Sequence, residues 1–305
     1  FEVWFDGANG GDGYYGGSNE IRHVDKKTYY DWTNTYKIVR ELQPNAVIFS
    51  DAGPDIRWVG NEKGYANETT WSNLYRDSVY AGMPDFHRFS SGQEEGTHWI
   101  PTETDVSIRP GWYYHPEQDD QVKSLEKLID IYFNSVGLNS ALLLNIPVDL
   151  RGLIHENDAL QLKKLSNFLK STFSQNLAIK SSINVNSSKK KYPIENANDD
   201  NEETYWTTND GIIEATLKLS FKKPVLANVF KISEFIPLGQ RIKKFRFEIK
   251  SNHKWEIIKE GSTIGNKRLI RFKTCKIDAI RFSILDSKSS PIISELGLYK
   301  APDYK

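Results

Sequence analysis

The sequence is poor in sulfur: its 305 residues hold one cysteine, Cys275, and one methionine, Met83. A single thiol excludes an internal disulfide framework and any zinc site built from several thiolates. Long apolar runs are also missing. None approaches the roughly 20 residues of a membrane-spanning helix, so membrane insertion is not expected. Charge of one sign is not in excess either, with 40 basic and 40 acidic side chains. Bulk attraction to nucleic acid or to an anionic membrane is therefore not expected. No P-loop, HExxH helix or GxSxG elbow is present. What the chain does have is length for two ordinary domains. Its aromatic content is 12% and its hydrophobic content 38%, the composition of a folded rather than a disordered chain.

The neutral total conceals two unlike parts. Residues 1–173 carry 16 basic and 25 acidic side chains, a net of −9, and residues 174–305 carry 24 and 15, a net of +9. Six of the eight tryptophans, Trp4, Trp32, Trp58, Trp71, Trp99 and Trp112, lie in the first part. A boundary near residue 174 is expected. The chain opens on Phe1-Glu2-Val3-Trp4-Phe5-Asp6, strand composition with no initiating Met. It is therefore expected to be a processed, cleaved or truncated piece, and an export signal cannot be read from it.

The first part alternates apolar strands with amphipathic helices. Phe1–Asp6, Ala46–Asp51, a third candidate beginning at His98-Trp99-Ile100-Pro101, and Ala141–Pro147 read as strands. Helices are expected from about Thr28 to Leu42 (stopped by Pro44), from Gln121 to Leu138, and through Leu160, Leu162, Leu165, Phe168 and Leu169. That alternation predicts parallel pairing through βαβ crossovers. Polar groups gather just past the strand ends, at Asp6, Asp51 and Asn145, the edge that carries the site in α/β barrels and open α/β sheets. Four such units fall short of the roughly 250 residues of a closed eight-fold barrel. Either four more lie upstream or the sheet is open. Such a sheet leaves two bare edges.

From residue 174 the period changes to two. Ala215–Leu219, Val229–Ile232, Phe245–Ile249 and Ile280–Ile284 are short alternating runs separated by Gly, Asn, Ser and Lys, which predicts an antiparallel sandwich. The Ser/Asn/Lys-rich stretch Ser181–Tyr192 reads as a linker or the start of that domain.

Carboxylates beside aromatics are the chemical signal. Asp6 ends a buried strand after Trp4, and an ionised acid there must be paired or functional. Glu62 sits in a glycine-flanked loop after Trp58, where an apolar wall raises a carboxyl pKa toward that of a general acid. Trp99 to His115 is denser, combining Glu103, Asp105, Arg109, Trp112 and two tyrosines. Each acid alone fits a salt bridge or a turn as well, and the isolated His115 and Cys275 are weak indicators. Together, paired carboxylates and aromatic walls suit sugar hydrolysis.

The segment Phe-Glu-Val-Trp-Phe-Asp-Gly-Ala-Asn-Gly at 1–10 resembles the nucleophile segment of glycoside hydrolase family 29, the α-L-fucosidases. Residues 43–64, Glu103 to His115 and Leu-Leu-Leu-Asn-Ile-Pro at 142–147 are similar to that family too, most of all to its subfamily acting on α-1,3- and α-1,4-linked fucose. The resemblance covers about 1–173. It implies part of a (β/α)8-like barrel, a retaining exo-glycosidase acting on branched, Lewis-type oligosaccharides or glycoproteins, no cofactor and no catalytic metal. Asp6 then matches the nucleophile, and Glu62 best matches the acid/base, with Glu103 as the other acid in a strong motif. Retention implies that the Asp6 and Glu62 carboxyls approach to about 5–5.5 Å. Trp4, Trp58, Glu103, Arg109 and Trp112 are substrate-binding candidates. The family's N-terminal barrel half has no counterpart here, so that missing segment is an expected partner, and a non-catalytic glycan-binding protein with an incomplete barrel is the alternative reading. Periplasmic or secreted location is implied by the resemblance alone. Residues 174–305 resemble a discoidin-type sandwich similar to carbohydrate-binding family 32, on Asn198–Trp206, Phe235–Ile242, Trp255 and Ile292–Tyr299. There Trp206 is expected in the core, and the acidic loop 199–203 is a candidate for Ca2+ or a solvated turn.

Overall fold

A computed structural model describes residues 1–5, 21, 23, 25, 28–50, 53–78 and 89–304. The first part contains, in chain order, β1 (Glu2–Trp4), α1 (Trp32–Leu42), β2 (Val47–Ser50), β3 (Ile56–Trp58), β4 (Asn73–Leu74), β5 (His98–Trp99), β6 (Thr102–Ser107), α2 (Leu125–Asn134), β7 (Ser140–Asn145) and α3 (Glu156–Thr172). Strands β1, β2, β3, β6 and β7 form one sheet in that order, and every pairing is parallel. Sheet neighbours are thus sequence neighbours, the arrangement of a barrel segment, and the sheet is a partial, curled half-barrel. Among the described residues, β1 and β7 each have one strand neighbour in it.

Burial explains these elements. Ile48 and Phe49 of β2 are buried, as expected for a strand covered on both faces. Helix α1 buries no residue fully and is fastened by aromatics: Phe5 meets Trp32 edge-on at 5.3 Å, and Trp32 stacks on Tyr36 at 5.3 Å. Helix α2 buries Leu128, Ile129, Ile131 and Phe133 and is capped by Ser124, which accepts from the Lys127 N–H.

Several elements differ from the sequence expectation. Among the described residues five strands form the sheet, not four. Strand β3 has three residues centred on the buried Arg57, too short and too polar to register as an apolar run. The third expected strand is displaced: His98–Trp99 pairs with β4 in a separate two-stranded ladder. The sheet strand is instead Thr-Glu-Thr-Asp-Val-Ser, all six residues buried. Helix α2 is shorter than Gln121–Leu138 because a 3-10 turn over Pro116–Gln121 precedes it. Strand β2 ends at Ser50, and Asp51 lies outside the described residues.

The second part is an antiparallel sandwich. Its strands are β8 (Ser181–Val185), β9 (Trp206–Thr207), β10 (Ala215–Glu234), β11 (Ile242–Ser251), β12 (Lys254–Ser262), β13 (Arg268–Ser287) and β14 (Ile292–Tyr299). They run β12-β11-β13-β10-β14-β9, with β8 paired to β10. The runs expected at Ala215–Leu219 and Val229–Ile232 are two halves of one 20-residue strand, bent where its register to β13 shifts between Ser220 and Val225 and again between Ala227 and Val229. Irregularities of this kind let one strand serve both layers. Ser181–Val185 is strand rather than linker; its Ser and Asn face solvent at an edge while Ile183 and Val185 pack on the core. The core is aromatic. Trp206, Phe230, Phe245, Phe247 and Phe282 are fully buried, and Phe230 stacks on Phe247 at 4.2 Å.

The opposite charges of the two parts meet at their junction. Asp130 pairs with Arg271 at 2.8 Å, Glu94 with Lys243 at 2.8 Å, Glu68 with Lys259 at 3.1 Å and Glu95 with Lys288 at 3.8 Å, and Glu68 also pairs with the buried Arg268. In each case the acid comes from the half-barrel and the base from the sandwich. Exposed pairs contribute roughly 0–1 kcal/mol each, so they set orientation more than strength. Strength comes from an apolar seam in which Ile129, Phe133 and Phe168 pack with Val229, Leu269, Tyr299 and Ala301.

Candidate active site

A cleft of about 810 Å³ opens at the C-terminal ends of the parallel strands. Trp4, last residue of β1, and Asn145, last residue of β7, form two of its sides, with Leu143 and Leu144 below. Glu62 enters from the loop after β3, and Trp112 and Tyr113 from the loop after β6. Glu2 and Asp105 supply two further carboxylates.

Local chemistry fixes these positions. The Glu62 loop lies close over β6 and α2 because Gly64 (φ +73°) donates its N–H to the Asp105 carbonyl at 3.1 Å. A Cβ there would come within 2.8 Å of Val106 Cγ1 and 2.9 Å of Ile131 Cγ2. Trp112 Nε1 donates to Glu62 Oε2 at 3.2 Å. The Trp112 backbone is held in turn by Asn145, whose Nδ2 donates to the Trp112 carbonyl at 2.9 Å and to Ser107 Oγ at 3.0 Å. Trp58 Nε1 donates to Asp105 Oδ1 at 2.7 Å, so Trp58 acts on the cleft through Asp105.

The alternation of β6 places Glu103, Asp105 and Ser107 on one face. Glu103 stands opposite Trp58 in the sheet and is 5% exposed, with Oε1 lacking a hydrogen-bond partner. Burial, reinforced by the nearby Glu2 and Asp105, pushes its pKa from 4.5 up to about 7; burial also raises Glu2. An acid whose pKa is higher folded than unfolded binds more protons in the native state between the two values. Its contribution to stability is therefore lost as pH rises from about 4.5 to about 7. Glu103→Gln should flatten that dependence. Urea midpoints at about pH 5 and about pH 8 check it, and an unchanged slope would place the titration elsewhere.

Arg109 is fully buried. Its Nε donates to both oxygens of the equally buried Asp158 at 3.1 and 2.9 Å, its Nη1 donates to Asp119 at 2.8 Å, and its guanidinium lies 4.8 Å from the Tyr114 ring centre. It therefore ties α3 to the loop carrying Trp112. Asp6 lies outside the described residues, and with it the expected Asp6–Glu62 separation. Of the other candidates, the structure brings Trp4, Glu62 and Trp112 to the cleft, with Trp58 and Glu103 on the strands beneath. In the sequence Asn145 stands out only as a polar strand end, Asp105 and Tyr113 only as members of the dense 99–115 segment, and Glu2 not at all. The signal was present as alternation, since Glu2 and Trp4, and Glu103 and Asp105, are two residues apart and share a strand face.

Among the described residues no group of three or more His, Cys, Asp or Glu side chains is arranged to hold a metal ion, and no helix is long and apolar enough to cross a membrane. In the sandwich, Asp199 accepts from the Asn201 N–H at 3.1 Å and from Thr204 Oγ1 at 2.8 Å, closing the acidic loop on itself. Beside it the buried Glu295 has an unpartnered Oε2; burial, opposed by Lys231 and reinforced by Asp200 and Asp199, pushes its pKa up to about 8.

Comparison with known proteins agrees with this geometry. The family profile described as Alpha-L-fucosidase matches residues 2–172, and that of the F5/8 type C domain matches residues 180–296. Alpha-L-fucosidase 1 of Arabidopsis thaliana is 38% identical over 98% of this chain and 58% of its own length. The chain thus spans little more than half of that relative. A glycoside hydrolase 29 family member from an unknown rumen bacterium superposes with a TM-score of 0.82 at 41% identity, covering 100% of this chain and 51% of that one. A Ruminococcus gnavus GH29 fucosidase solved in complex with fucose gives 0.84 at 31% identity, covering 99% and 61%. The chain belongs to the alpha-L-fucosidase family.

Proposed function

We propose that the cleft is part of the active site of a retaining exo-α-L-fucosidase that releases α-1,3- and α-1,4-linked fucose from branched glycans. The observation that carries this reading is a carboxylate, Glu62, held by Trp112 on the wall of an aromatic cleft at the C-terminal strand ends of a chain of this family. Asp6, two residues beyond Trp4, attacks the anomeric carbon while Glu62 gives its proton to the departing glycosidic oxygen. Water then attacks the anomeric carbon of the fucosyl ester as Glu62, now a base, takes a proton from that water. Asp6 is released and the configuration is retained. Trp4, Trp112 and Tyr113 offer ring faces to the C–H faces of the sugars.

Binding energy from a branch sugar outside the bond being broken lowers the barrier only if it is realised in the transition state. A Lewis-type trisaccharide should accordingly exceed a simple aryl fucoside in kcat/KM by on the order of tenfold or more, with kcat as well as KM improved. Fucose release from both substrates by the full-length protein tests this. Equal or better turnover of the aryl fucoside would remove the branched-glycan specificity.

A further inference from the structure

The loop that carries Glu62 has no regular secondary structure between β3 and β4, yet its backbone at Thr70 and Ser72 is held by side chains of the sandwich. Gln240 is 4% exposed. Its Oε1 accepts from the Ser72 N–H and its Nε2 donates to the Thr70 carbonyl, both at 2.9 Å. The Thr70 N–H donates to Thr263 Oγ1 at 3.0 Å. Nearer the carboxylate, Arg271 donates to Asp130 Oδ1 at 2.8 Å, Asp130 Oδ2 accepts from the Tyr65 hydroxyl at 2.6 Å, and the Tyr65 carbonyl accepts from Asn61 Nδ2 at 3.0 Å. Asn61 is the residue before Glu62, and its Oδ1 accepts from the Lys63 N–H at 3.0 Å on the other side. Burial would raise Asp130, but the Tyr65 hydroxyl and Arg271 outweigh it and hold it below the ordinary range, so this relay stays ionised at neutral pH.

We infer that the sandwich is a positioning element of the active site: Arg271 and Gln240 hold the 61–72 loop and through it the Glu62 carboxylate, an inference that rests on Glu62 as the acid/base. A buried backbone needs partners, and at Thr70 and Ser72 of the site loop they come from side chains some 170 to 190 residues later in sequence. Loosening them leaves the cleft walls on β1 and β7 in place and releases the acid. Misplacement of a catalytic group by about 1 Å costs on the order of a hundredfold.

The test compares two fucosides in the full-length protein, one with a phenol-type leaving group that needs protonation and one with a dinitrophenyl group that does not. Arg271→Gln and Gln240→Leu should each lower kcat/KM by about tenfold or more on the first substrate and by no more than about twofold on the second. Glu62→Ala should show the same selective loss, larger, and Arg271→Lys should recover part of the kcat/KM that Arg271→Gln loses on the first substrate. A variant that merely weakens the fold lowers both substrates alike. Arg271 is partly exposed, so its variant remains informative if Gln240→Leu does not fold. Equal losses or no loss in Arg271→Gln, with Glu62→Ala still selective, would overturn the positioning role and leave the Glu62 assignment standing. Absence of selectivity in Glu62→Ala would remove that assignment, and this inference with it.

Discussion

Asp6→Ala should abolish turnover of the full-length protein, by at least about 10³-fold, while leaving its thermal midpoint close to that of the parent. The residue follows a strand whose side chains Glu2 and Trp4 line the cleft. Removing a nucleophile takes away the covalent route, and a role in catalysis rather than in packing leaves the fold intact. The diagnostic result is rescue by azide. A small anion in the space vacated by the carboxylate attacks the anomeric carbon once, with Glu62 protonating the leaving group, and gives a fucosyl azide of inverted configuration. Full activity in Asp6→Ala, or rescue with retained configuration, would move the nucleophile elsewhere.

Arg109→Ala should cost about 3–5 kcal/mol of stability, because it strands the fully buried Asp158 carboxylate without its partner. A substrate-binding arginine behaves otherwise: its loss raises KM and leaves the fold alone. Urea unfolding of Arg109→Ala, with KM measured below the transition, separates the two. Paired replacement of Arg109 and Asp158 by leucines should recover part of the stability, since a buried ion pair exchanged for packed apolar groups is often neutral or better. A variant with parental stability and raised KM would return Arg109 to the substrate.

Apolar periodicity was legible wherever apolar residues dominate, as in β2, α3 and the sandwich strands. It failed where the half-barrel turns polar. Strand β6 is Thr-Glu-Thr-Asp-Val-Ser, buried because it lines a site on one face and packs on the other, so apolar periodicity points to His98-Trp99 instead. Strand β3 failed for the same reason, with Arg57 in its middle hydrogen-bonded to the Ser90 and Trp71 carbonyls. The acidic and aromatic segments that carry Glu62 and Trp112 were visible as motifs. Their contact was not, since it joins residues 50 apart. The charge asymmetry was equally plain in the sequence. Its meaning as complementary faces needed the pairing of Asp130 with Arg271 and of Glu94 with Lys243.

The central claim is double displacement at this cleft, and the stereochemistry of the first product tests it most directly. Fucose released by the full-length protein from a Lewis-type trisaccharide should appear first as the α-anomer in time-resolved proton NMR, before mutarotation, because two inversions restore the starting configuration. First appearance of the β-anomer would show a single displacement and contradict the account.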